Sequence, residues 1–182
     1  MCLTNFLNHL NKVLTHKRYV AKYCFMCRLY GQGILHDMSK FSPVEFLEGV
    51  RYYQGDSSPI NACKKDKGYS NAWFHHRGRN RHHWEYWVDD FQKGMIPKKM
   101  PFKFVLEMFC DFLGAGEAYN GKNFTMDAEY DWWTDKRKKA VLHPGALIIM
   151  DHLFNSAKYN GIKETLTNKE YINKLKKEYE AY

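Results

Sequence analysis

The chain has 182 residues, 45% hydrophobic and 16% aromatic, which excludes a disordered protein and suffices for one domain with a buried core. Its net charge is +8 and unevenly spread: residues 61–81 carry six Lys/Arg against one Asp, and residues 136–182 carry ten against five acids. No apolar run reaches the ~18 residues of a membrane span, and the N-terminus lacks the apolar stretch and cleavage site of a signal peptide. The expectation is therefore a soluble, cytoplasmic protein with no membrane partner.

Residues 4–30 place Phe6, Leu7, Leu10, Val13, Leu14, Val20, Ala21 and Cys24 at helical spacing, closed by Gly31. A short segment, Ile34 to Lys40, follows. The string SPVE predicts a helix start, with Ser42 as N-cap, Pro43 at the first position and Glu45 closing a capping box. That helix runs to about Gln54, and residues 55–69 read as a surface loop. Ser70 caps a helix over Ala72–Arg77, the RGRN string interrupts it, and helix resumes over His82–Phe91. Pro101 starts another helix, ending near Gly114 and Gly116. Further helices fit 127–140 and 144–158, with His143 at the entry of the second. Thr167 and Glu170 form a last capping box, opening a basic amphipathic helix to the C-terminus. With little period-two alternation, the predicted fold class is all-α, a single-domain helical bundle. The five cysteines are odd in number and scattered. Cys24 and Cys27 form a C-x-x-C inside a helical pattern without a second pair, so the cysteines read as reduced thiols near a core face.

The stretch NAWFHHRGRNRHHWEYW, residues 71–87, holds four of the nine histidines: His75, His76, His82 and His83. Imidazole is the commonest metal-ligand side chain, and the rest of the chain supplies partners. GILHDMSKFS contains His36 and Asp37, with Lys40 three residues on, and His16 lies twenty residues upstream. Adjacent His and Asp are ~100° apart on a helix, so they suit two metals or one bridging carboxylate. Asp111 stands among Phe104, Val105, Met108, Phe109, Phe112 and Leu113, and a buried carboxylate there needs a cation or strong hydrogen bonds. Glu107, one turn away, is placed to support a ligand. The Gly78 break ranks His76, His82 and His83 above His75, while His9, His143 and His152 read as structural. The candidate metal set is His16, His36, Asp37, His76, His82, His83 and Asp111. Mixed imidazole and carboxylate ligands point to one or two divalent transition-metal ions (Fe, Mn, Zn, Co or Ni). The positive field of Arg77, Arg79 and Arg81 suits an anionic substrate. The aromatic residues are mostly core, though one or two near the histidines could stack on a nucleobase.

The residue order and the HD-x-x-K string resemble the HD-domain superfamily of metal-dependent phosphohydrolases. HDMSK is similar to the HD-x-G-K of its nucleases and cyclic-dinucleotide phosphodiesterases, with Ser39 in the glycine's place. HHWE resembles their HHE element, with Glu85 one residue late, and no G-Y-P follows. HDMSKFSPVEF together with AWFHHRGRNRHHWEYW is similar, over roughly residues 10–150, to a family of uncharacterised bacterial and phage HD-like proteins. The resemblance implies an HD-like helical domain over 1–160, with residues 161–182 a basic helix packed on it or extending from it. It implies a phosphohydrolase or phosphodiesterase whose partner is a phosphorylated small molecule, a nucleotide, a cyclic nucleotide or a nucleic-acid end. Asp37 and Lys40 would be catalytic, and Arg77, Arg79 and Arg81 would bind substrate. Two alternatives stay open: an HD-fold di-iron oxygenase, and a nucleic-acid-binding protein with a structural metal. The oligomeric state is not set by the sequence.

Overall fold

The computed structural model describes residues 2–91 and 94–182. Two long apolar helices make the spine: α1 (Leu3–Met26) and α6 (Phe102–Asn120). They lie close because Gly114 has no side chain. A Cβ there would run into Val20, whose backbone nitrogen would be 2.9 Å away. This is why α6 does not end near Gly114 and Gly116 as the sequence suggests. A glycine inside a helix costs ~1 kcal/mol, and the apolar contact with α1 outweighs it. The helix stops at Gly121, where φ is +53°.

The smaller half of the fold packs along α1, with Phe46 against Phe6 and Gly33 against Cys24 and Phe25. It comprises α2 (Tyr30–Leu35), a 3-10 turn at Met38–Phe41, α3 (Pro43–Arg51), α4 (Pro59–Lys67) and α5 (Asn71–Arg77). The expected single helix over 4–30 is thus two, separated by a turn in which Arg28 has φ +65°. Residues 55–69 are not all loop. Pro59 stands at the first position of α4 and Gly68, at φ +80°, ends it. The apolar spacing there is thin, since Cys63 is the buried residue of α4. The helix expected over His82–Phe91 does not form. His83 leaves the helical region at ψ 126°, a 3-10 turn covers Trp84–Trp87, and Val88–Phe91 is a strand, β1, paired antiparallel with β2 (Gly94–Pro97). A β-branched and an aromatic residue flanking Asp89 and Asp90 favour that hairpin over helix.

The other half is the main core. It comprises α7 (Met126–Lys136), α8 (Pro144–Asn160), α9 (Ile162–Thr167) and α10 (Lys169–Ala181); α8 and α10 pack on α6, while α7 and α9 pack on α8. Trp133 stacks on Phe154 at 5.1 Å between centroids, and Phe109 meets Phe154 edge-on at 5.0 Å. Leu175 and Tyr179 of α10 belong to the same buried cluster. The N-cap of α10 is Asn168, whose side chain accepts from Tyr171 N at 3.0 Å, and Thr167 instead ends α9. His143 caps α8, its Nδ1 accepting from Gly145 N. Cys24, Cys27, Cys63 and Cys110 are buried free thiols. Apart from the short hairpin the fold is all-α, and among the described residues no helix is long and apolar enough to cross a membrane.

Candidate metal centre

The doublet His36–Asp37 does not lie in a helix. α2 ends at Leu35, and Asp37 adopts the left-handed region at φ +53°, ψ +27°. Asp tolerates this region better than most residues, and such strain is characteristic of functional sites. Its effect is to turn both side chains inward, which a helical His-Asp could not do. Lys17 of α1 secures the break by donating to the carbonyls of Ile34 (2.6 Å) and His36 (2.8 Å). Asn80 ties the histidine loop to the same turn, its Nδ2 donating to Ser39 Oγ (2.7 Å) and to the His76 carbonyl (2.9 Å).

Asp37 is 2% exposed, and its two oxygens face different groups. Oδ2 lies 3.4 Å from His16 Nε2 and 3.3 Å from His36 Nε2. Asp111 Oδ1 completes that side, 3.1 Å from His16 Nε2 and 3.2 Å from His36 Nε2. Oδ1 of Asp37 lies 3.3 Å from His76 Nε2 and 3.4 Å from His82 Nε2. The ligand atoms of His16, His36, Asp37 and Asp111 lie within 4.8 Å of one another, as do those of Asp37, His76, His82 and His83. All seven expected ligands are therefore brought together, with Asp37 common to both groups.

Behind the imidazoles stand two buried glutamates. Glu107 Oε1 accepts from Nδ1 of both His36 (3.0 Å) and His82 (3.2 Å). Glu45 accepts from His76 Nδ1 through Oε2 (2.7 Å) and from His75 Nδ1 through Oε1 (2.5 Å). With Nδ1 occupied, Nε2 is free to point at the centre, the usual support of a metal-bound histidine. Glu45 is the residue sequence reasoning missed. Its backbone N–H meets the Ser42 cap, but its carboxylate turns to the histidines instead of closing the capping box. Its position, three residues after a cap, masked that role. His75, paired to Glu45, stays outside both groups.

Both Asp37 oxygens, His82 Nε2 and His83 Nε2 are buried without a well-aligned hydrogen bond, although Lys40 Nζ stands 2.7 Å from Asp37 Oδ2. Unsatisfied buried polar atoms are rare, and four of them within the two groups that share Asp37 match the needs of a cation. Burial by itself would raise Asp37, but His36, Lys40 and His76 hold its carboxyl well below the usual range. Asp111 is likewise held well below it against burial, by hydrogen bonds from His16 and His36 and the charge of His82. Burial would lower His36, yet Asp37 and the hydrogen bonds to Asp111, Asp37 and Glu107 raise it well above its ordinary value. Burial, with His82 and His76 beside it, pushes His83 far down. Without a cation, protons on imidazole must offset the carboxylates; a divalent ion replaces those protons and fills the same centre. The residues fit a metal.

The cluster opens into a cavity of about 230 Å³, whose lining includes His16, Asp37, Lys40, His76, His83 and Asp111. Arg77 and Arg79 line a separate outer groove, Arg77 lying over Phe74. Arg79 and Arg81 line another depression together with His36, Asp37, His82 and Glu107. The cations lining the main cavity are Lys40 and Lys12. His152 pairs with Glu178 on the surface, as a structural histidine would.

Residues 5–158 match the family described as "Family of unknown function (DUF5662)". The chain belongs to this family. No curated protein and no solved structure matches it. The matched span contains every clustered side chain, from His16 to Asp111, and stops before α9 and α10. Within this DUF5662 chain the cluster is thus part of the matched unit.

Proposed function

We propose that this DUF5662 protein is a metal-dependent phosphoric ester hydrolase with an HD-like centre. The observation that carries the reading is the pairing of Lys40 with the shared carboxylate Asp37 in the lining of one cavity. His16, His36, Asp37 and Asp111 would hold one divalent transition-metal ion, and His76, His82, His83 and Asp37 a second. When bound, such ions supply Lewis acidity and an acidified water molecule. The chain's residues do the remainder. Asp37 separates and bridges the two ligand groups, while Glu107 and Glu45 fix the imidazole tautomers. Burial would lower the Lys40 ammonium, but Asp37 and Asp111 raise it, so the ammonium stays charged. At 2.7 Å from Asp37 Oδ2 it is positioned to stabilise charge developing on phosphoryl oxygens.

The test is elemental analysis of protein purified without chelator, then an ester panel (nucleotides, cyclic nucleotides, sugar phosphates, DNA and RNA ends) with Mn, Fe, Co, Ni or Zn. Retained metal with turnover of at least one ester class is the expected result. Metal retention without phosphate release, with two irons per chain and oxygen consumption, would replace hydrolysis by the di-iron reading. Steeply salt-dependent nucleic-acid binding that survives metal removal would favour the binding-protein reading.

A further inference from the structure

His9 was expected to be an ordinary structural histidine, but it forms part of the cavity wall. It sits seven residues before His16 on α1, two helical turns away. It is 8% exposed, and its Nδ1 is buried without a hydrogen-bond partner. Phe46 and Tyr53 hold the ring, at 5.1 and 6.0 Å between centroids. Gly49 makes the placement possible, because a Cβ there would overlap His9 Nε2 and Cε1. Burial, helped by the charge of Lys40, lowers the imidazole to about 4. The ring is therefore neutral near pH 7, with one nitrogen able to donate and the other to accept. It belongs to neither ligand group. Unpaired buried polar atoms are rare, and this one belongs to a residue of the cavity wall.

Its surroundings define a partner for it. The hydroxyl-bearing Ser58 and Tyr119 and the apolar Trp73 and Ile60 line the same cavity. Lys12 is engaged elsewhere, its Nζ donating to the Ala118 carbonyl at 2.9 Å. The carboxylates of the lining are engaged as well, Glu48 with Ser70 Oγ and Ala72 N and Glu45 with His75 and His76, so its neutral hydrogen-bonding groups are His9, Ser58 and Tyr119, with Trp73 in the same lining. Neutral donors and acceptors pair with hydroxyls, and an indole covers the C–H face of a ring. The size sets a further limit. A cavity of about 230 Å³ suits a small, ring-sized organic group.

We infer that His9 is the specificity-determining residue of a second subsite, which takes the hydroxylated, ring-sized organic part of a small phosphate monoester whose phosphate lies at Asp37 and Lys40. The phosphate end rests on the function proposed above; the organic subsite rests on His9, Gly49 and the cavity itself.

The experiment titrates a pentose 5-phosphate and, separately, inorganic phosphate into the Mn-loaded full chain by calorimetry, and measures phosphate release in the same samples. Wild type should prefer the pentose phosphate by about tenfold, the scale of one or two hydrogen bonds. His9→Phe keeps ring volume but removes both nitrogens, so it should abolish that preference while leaving the affinity for inorganic phosphate within about twofold. Gly49→Ala should do the same by displacing the ring. His9→Asn, smaller and still polar, should retain part of the preference and gives a second variant if His9→Phe does not fold. Metal stoichiometry should stay at the wild-type value in all three. No preference in wild type, or an unchanged preference in the His9 variants, overturns the inference. An intact, His9-dependent preference without any ester turnover upholds the subsite and removes only the hydrolase reading.

Discussion

Residues 2–91 and 94–182 are built on different plans. The first part, after α1, is a series of helices of six to nine residues, interrupted at His36–Asp37 and at Gly78. It supplies six of the seven clustered ligands: His16, His36, Asp37, His76, His82 and His83. The second part contains helices of 19 and 17 residues and supplies one, Asp111, with Glu107 behind it. The apolar core is divided the other way. Of its buried members only Val20, Tyr23, Cys24, Cys27 and Trp84 come from the first part. Irregular backbone can aim side chains at a point that regular helices cannot reach, but it buries little apolar surface. It therefore needs a rigid scaffold beneath it. α6 is where the two plans meet, since its apolar faces make the core and its Glu107–Asp111 edge, one turn long, faces the histidines.

If this division is real, the two parts should fail separately. Asp37→Asn keeps the shape and the tolerance for φ +53° but removes the shared charge. It should abolish metal retention, measured by elemental analysis, while leaving the helical circular-dichroism spectrum intact. Leu153→Ala in the core should do the reverse, costing about 2–5 kcal/mol in urea unfolding, with metal stoichiometry preserved below the transition. Metal loss in the core variant, or unfolding in Asp37→Asn, would break the comparison.

Lys40 sharpens it further. Lys40→Ala should slow hydrolysis by ~10²–10³-fold, the scale of one stabilising donor, with metal content and melting temperature unmoved. Lys40→Arg and the exposed control Lys67→Ala would be assayed beside it. Equal activity in all of them would remove the catalytic role, and lost metal would make Lys40 a support of the site.

Smaller effects are expected from the groups behind the ligands. Glu107→Gln should weaken metal affinity by ~10–100-fold, because Glu107 holds two imidazoles. Glu45→Gln should weaken it less, since His76 is its one partner among the ligands. Competition titration with a chelating dye would rank them, and a larger effect for Glu45 would reverse the assignment.

The smallest effect concerns Glu129 of α7. Burial, with the charge of Asp111, pushes its carboxyl from 4.5 up to about 7. The folded chain thus keeps this proton to higher pH than the unfolded chain, so its protonation favours folding most below about pH 4.5, and that advantage is lost as pH rises through about 7. Glu129→Gln should add about 2 kcal/mol at pH 8 and almost nothing at pH 4, read by urea unfolding at both. Metal loading, which offsets Asp111, should shrink the gain. An equal effect at both pH values would show that the carboxyl is not the titrating group.

The helical class of the fold was legible in the sequence because it is a local property: 3.6-residue apolar spacing and the Ser42, Ser70 and His143 caps act within a few residues. The candidate ligands were legible too, since His and Asp in apolar or clustered settings carry their chemistry in their identity. What the sequence misjudged depended on contacts distant along the chain. Gly114 reads as a helix end until Val20 is packed against it, and Glu45 reads as a cap until α5 brings His75 and His76 within reach. Tertiary packing also puts Arg79 and Arg81 at a depression shared with His36, Asp37 and His82, while Lys40 and Lys12 line the main cavity. His9 has no neighbour in sequence that marks it, because its setting is made by Gly49 and Phe46, forty and thirty-seven residues on. Residue type and spacing thus determined which side chains can do chemistry. Only tertiary packing decided where each one points, because direction depends on how close two helices come, and that distance is set by side chains far apart in the chain.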